Sequence, residues 1–210
     1  MKKTVIIFIV MLLCTSIFAQ HRRPTPDKKF IFMTSVGYAT GFGHIDLDSI
    51  QTTIPNKNYD ISVNQLLGYQ FNPYFQMGLG AGFDFWKQTA FIPIYLNLTV
   101  NFTKTKFVPL FYTNLGYSFK WYISSVPDEM NHVIHGTQMG PMGEAGLGMR
   151  FSLNERFSIL IAACYKVQYS GIDYTTHAPN EHEDFSALYT NTHKDKVFYH
   201  FAGVRLGLQY

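Results

Sequence analysis

Apolar and polar residues alternate with a period of two through eight separate stretches of this chain, and that period is the signature of strands with two unlike faces. The fourth stretch shows it most plainly: Ile92, Ile94, Leu96, Leu98, Val100 and Phe102 fall on one face, against Tyr95, Asn97, Thr99 and Asn101 on the other. The final stretch, Val197 to Tyr210, sets Phe198, His200, Ala202, Val204, Leu206, Leu208 and Tyr210 against a mixed face that carries Arg205. The same alternation runs from Phe30 to Ala39, Tyr59 to Phe71, Phe75 to Phe85, Phe107 to Trp121, Gln138 to Ser152 and Phe157 to Ser170. The reading is an all-β chain of eight antiparallel strands.

The connections sort into two kinds. Phe71-Asn72-Pro73-Tyr74-Phe75, the Phe102 to Phe107 segment and the Phe151 to Phe157 segment are tight, and each is flanked by aromatic residues on the apolar face. The spans 41–58, 123–136 and 171–196 are longer and polar, and only 87–90 is short on that side. Tight turns at one rim, long loops at the other and rings at one height match the periplasmic and extracellular ends of a membrane barrel with an aromatic girdle.

A soluble sandwich or lipocalin-like barrel also alternates, but its outward face would carry many Lys, Glu and Asp. Here Asp60, Asp84, Lys120, Glu144, Arg150, Lys166 and Arg205 all fall on the face that carries the glycines and amides, and the opposite face carries no charge. A face that is Gly-rich and holds both signs suits the crowded interior of an eight-stranded barrel, whose lumen is filled by side chains and is not a pore.

The leading segment 1–19 joins Lys2 and Lys3 to an apolar run, Val5 to Leu13, and a small residue at Ala19, the parts of a secretory signal peptide cleaved after Ala19. Lipidation at Cys14 is disfavoured, because Leu13 stands where a small residue is wanted. Segment 20–28, polar with Pro24 and Pro26, reads as a disordered lead-in, and 29–210 as the barrel. Without Lys2 and Lys3 the chain has 15 basic and 14 acidic side chains, a balance that speaks against nucleic acid as a partner. Cys164 is then the single cysteine, so no internal disulfide framework forms.

These marks together resemble the broad family of small outer-membrane β-barrel domains of Gram-negative bacteria, the architecture of OmpX and the OmpA membrane domain. The resemblance covers the whole mature chain and rests on patterns of property, which makes it specific for fold and compartment and weak for activity. It implies residence in the bacterial outer membrane, contact with outer-membrane lipid, and an assembly signal at Tyr210 read by the barrel-assembly machinery during insertion. Gln65 and His200 depart from the pattern by falling on the lipid side.

Candidate chemistry is thin. Glu144, Lys166 and Arg205 fall at mid-height on neighbouring strands, and a salt-bridge network that stiffens the lumen is the favoured reading over acid/base catalysis by Glu144. Asp60 and Asp84 lie at similar heights and share a proton, hold a hard cation or, in the favoured reading, pair with a base such as Lys120. Cys164 reads as a small buried filler. Six of the eight histidines lie on the loop side, but His177, His182 and His193 are weak metal candidates without diagnostic spacing, so neither metal nor cofactor is expected.

The function expected is therefore structural or interactive, with the loops displayed at the cell surface to an extracellular or envelope protein. The alternative is an integral lipid-modifying enzyme of the lipid A deacylase or acyltransferase type. That chemistry wants a serine near a lipid-facing histidine; two positions beyond His200 stands Ala202, and Ser158 points inward.

Overall fold

In the computed structural model, which describes residues 30–47, 52–86, 89–123, 132–138, 140–154, 157–177 and 190–210, the chain is a closed antiparallel barrel. The strands are β1 (Phe30–Phe42), β2 (His44–Leu47), β3 (Thr52–Pro55), β4 (Tyr59–Asn72), β5 (Phe75–Trp86), β6 (Thr89–Asn101), β7 (Phe107–Ile123), β8 (His132–Gln138), β9 (Gly140–Ser152), β10 (Ser158–His177) and β11 (Thr190–Gln209). Eight staves close the wall in the order β11-β1-β4-β5-β6-β7-β9-β10, with β10 pairing back to β11. β8 continues the line of β9 above the wall and pairs with the upper part of β10. The proposed signal peptide and lead-in lie outside the described residues.

Closure removes every edge from the wall, which is the condition for placing strands in hydrocarbon. The last residue completes the seam: Phe32 N–H donates to Tyr210 C=O at 2.9 Å and Tyr210 N–H donates to Phe32 C=O at 2.8 Å. The Tyr210 ring stacks on Phe32 with centroids 6.0 Å apart.

The outward face is apolar, as the alternation predicts. Ile94 is 50% exposed and Leu96 38%, so these side chains point away from the centre. Leu67, Leu79, Leu96 and Leu115 stand in register on four consecutive staves and form a leucine band around the wall. Aromatic rings bound this band, with Phe71, Phe75, Phe107, Phe151 and Tyr210 at the tight-turn rim and Phe42, Phe85, Trp121 and Phe198 toward the other. From Phe32 to Phe42 is ten residues of β1; at ~3.3 Å per residue and a tilt of ~45° the rise is roughly 23 Å, close to the apolar band of an outer-membrane barrel.

The two departures on this face are each satisfied by a neighbour. Thr34 Oγ1 donates to Gln65 Oε1 at 2.7 Å, and the Tyr165 hydroxyl lies 2.7 Å from His200 Nδ1. A polar group facing lipid finds no water, so a partner on the adjacent strand is what lets it stay there.

The expected loops are shorter than the sequence suggests. Span 41–58 holds the β2–β3 hairpin, entered from β1 through a bend at Gly43, whose φ of 76° is a conformation that favours glycine. The described parts of span 171–196 are strand, since β10 runs on to His177 and β11 starts at Thr190. β2 keeps the period of two, with Ile45 and Leu47 buried between exposed His44 and Asp46, but four residues are too short a run to stand out in a polar span.

Candidate functional site

The interior is the place where this fold brings chemistry together, and it is built in storeys. At the loop-side mouth Trp86, Phe91, Tyr199 and Phe201 pack ring against ring, with Trp86 4.7 Å from Phe91 and 4.9 Å from both Tyr199 and Phe201 between centroids. Ile45 and Leu47 of the β2–β3 hairpin are buried in the same cluster. Asn56 pins the hairpin by donating Nδ2–H to the His200 carbonyl at 2.9 Å. Period-two order in β2 has thus turned apolar side chains down onto the mouth.

Below the rings, Lys166 Nζ reaches Asp60 Oδ2 at 2.6 Å and Asp84 Oδ2 at 2.5 Å, with all three side chains at most 5% exposed. One storey further down, Arg205 Nη2 donates to Glu144 Oε2 at 2.6 Å and Nη1 to Ser35 Oγ at 3.2 Å. The other carboxylate oxygen, Glu144 Oε1, accepts from the Tyr112 hydroxyl at 2.8 Å and Asn114 Nδ2 at 3.3 Å. Asn97 Nδ2 donates to Asn114 Oδ1 at 2.7 Å and Thr99 Oγ1 to Asn97 Oδ1 at 3.0 Å, which carries the network across β6, β7, β9, β11 and β1. The Arg205 guanidinium also lies 6.0 Å from the Tyr112 ring centre, within cation–π range.

The glycines on the inward face explain how two tyrosine rings fit. A Cβ at Gly80 would collide with the Tyr95 ring, and one at Gly146 with the Tyr112 ring. Each glycine is the cross-strand neighbour of its tyrosine, so its bare backbone is the seat on which the ring lies.

Glu144 and Lys166 are opposite each other in register, yet each bonds elsewhere: Glu144 to Arg205, Lys166 to the two aspartates. The pairing of Asp60 and Asp84 with Lys120 is corrected. Lys120 is exposed at the upper rim and forms none of the ion pairs among the described residues, because Phe91 occupies the register position beside it and fills the mouth. Arg150 lies at the opposite end of the lumen, 8% exposed, with Nη1 donating to Gln209 Oε1 at 3.2 Å. Cys164 faces inward and packs against the Leu110, Tyr112, Leu160 and Ala162 cluster.

His182 and the side chains of His177 and His193 lie outside what is described; among the described residues no group of three potential ligands gathers for a metal. The sequence reading missed Tyr112, Asn97 and Asn114, whose hydrogen-bond partners lie 17 to 32 residues away, and Tyr95, whose ring is seated on Gly80 of the neighbouring strand. Their only signal in the sequence was polarity on the inward parity, which marks a face and names no partner.

With this geometry in view, the chain superposes on the outer-membrane protein OprG from Pseudomonas aeruginosa with a TM-score of 0.54 and 16% identity, covering 85% of this chain and 95% of that one. The fold is that of a small outer-membrane β-barrel. Looser likenesses include the N-terminal β-barrel domain of OprF from Pseudomonas aeruginosa, with a TM-score of 0.46, 13% identity and coverage of 86% and 97%. The outer-membrane enzyme PagL gives a TM-score of 0.40, 11% identity and coverage of 81% and 97%. No family model and no curated protein matches the chain. Identities this low speak to the fold alone, and a small outer-membrane β-barrel is also what the apolar belt and the closed strand order require.

Proposed function

We propose that this outer-membrane barrel is a non-conducting, non-enzymatic anchor whose loop-side segments are displayed for interaction with an extracellular or envelope protein. The observation that carries the reading is the stacking of the lumen, where an aromatic cluster capped by the β2–β3 hairpin overlies two levels of buried ion pairs. Beneath the ion pairs, the cavity lined by Tyr95, Tyr112 and Arg205 has about 20 Å³, room for a single water. A barrel of this size leaves the wall and the loops as its working surfaces. Lipid is the partner of the wall, and the barrel-assembly machinery engages the chain through Tyr210 during insertion.

Two measurements test this. Purified protein in a planar bilayer is expected to give no stepwise conductance, and lipid A from cells with and without the gene is expected to have the same mass. Discrete open-channel currents would overturn the filled lumen, and an acyl-chain difference would move the protein to the lipid-modifying class. The surroundings of His200 support an unchanged lipid A. Its Nδ1 is engaged by Tyr165, its ring lies 6.2 Å from Phe42, and its register partners Phe42 and Val167 include no serine of the kind a deacylase would use.

A further inference from the structure

At the tight-turn end of the barrel the described residues enclose a vestibule of about 640 Å³, lined by Lys104, Lys106 and Arg150 together with neutral polar and apolar residues. No aspartate or glutamate is among the described residues that line it. Inside the lumen each buried cation has a carboxylate, Arg205 with Glu144 and Lys166 with Asp60 and Asp84. Arg150 breaks this rule. It is nearly as secluded, at 8% exposed against 4% for Lys166 and 5% for Arg205, and its described partner is the neutral Gln209, bonded through Nη1, while the rest of its guanidinium borders the vestibule.

A guanidinium withdrawn from water without a counter-charge is costly, and such a group is retained in a membrane protein where it meets an anion. Its planar fork offers two parallel donors that match the oxygens of a phosphate. Lys104 and Lys106, on the exposed turn between β6 and β7, add two further positive charges at the rim, with Lys104 Nζ held 4.9 Å above the Tyr74 ring. Phe30 and Tyr210, girdle residues at the height of lipid headgroups, form part of the same wall.

We propose that this vestibule is an anion site for a phosphate group, gripped by Arg150 and attracted by Lys104 and Lys106. The group comes either from the headgroup of an anionic phospholipid in the inner leaflet or from free phosphate. The site is independent of the display function and uses none of its surfaces.

The test takes the full chain in an uncharged maltoside detergent, titrated with inorganic phosphate by calorimetry. In a second arm the chain sits in nanodiscs of phosphatidylcholine with and without phosphatidylglycerol, and headgroup contact is read by phosphorus NMR. Binding in the first arm identifies a free anion; binding only where phosphatidylglycerol is present identifies the headgroup. In either arm Arg150→Gln is expected to weaken binding about tenfold or more, the effect of losing a charge-assisted bond. Arg150→Gln is first checked for the folded, heat-modifiable gel band. Should it fail to fold, the Lys104→Gln/Lys106→Gln double variant on the exposed turn takes its place, with a several-fold loss expected. Absence of binding in both arms, or binding that the folded Arg150→Gln or the double variant leaves unchanged, overturns the proposal.

Discussion

Lys166→Met is expected to lower the unfolding free energy of the barrel by about 3–5 kcal/mol, because it leaves two carboxylates shut in the lumen without their cation. Asp60 and Asp84 are each 3% exposed and share the one ammonium, so they would face one another directly. Asp60→Asn should behave differently. It turns a cluster of one cation and two anions into a neutral Lys166–Asp84 pair, and Asp60 Oδ1 already lacks a hydrogen-bond partner, so the loss stays within about 1 kcal/mol. Urea unfolding in lipid vesicles, followed by the fluorescence of Trp86 and Trp121, measures both. Equal losses from the two variants would mean that Lys166 does not organise this storey.

The second large effect belongs to the outer wall. Leu79 is 66% exposed and stands in the leucine band between Leu67 and Leu96, so Leu79→Arg places a guanidinium against the middle of the hydrocarbon. The expected loss is about 2–4 kcal/mol in vesicles, and it falls to about 0–1 for the same change at the interface. Leu153, 62% exposed in the tight turn between β9 and β10, supplies that control. If Leu153→Arg were as harmful as Leu79→Arg, the belt would not lie where the girdles place it.

These two predictions draw on different sources of information. That Leu79 faces outward and Asp84 inward was legible from parity alone, since a strand has two faces and burial in lipid tolerates charge on only one of them. The tight turns, the girdle residues and the inward placement of Asp60, Glu144, Lys166 and Arg205 follow from the same argument. The choice of Lys166 over Lys120 as partner for the aspartates was not legible in this way. It depends on Phe91 and the neighbouring rings filling the mouth at the level of Lys120, and on the long reach of Lys166 across the lumen to β4 and β5. Gly80 and Gly146 read as small inward residues; that they seat Tyr95 and Tyr112 appears only once the staves are set side by side.

By itself, then, the order of residues determined the eight strands of the wall, their two faces, the girdle at the tight-turn rim and the medium each face prefers, because all of these depend on near neighbours in the chain. Only the closed barrel decided which charge meets which, that the β2–β3 hairpin folds over one mouth, and that Arg150 is enclosed beside an open vestibule. Those facts rest on distances between residues tens of positions apart in the chain, and such distances exist only after β11 has closed on β1.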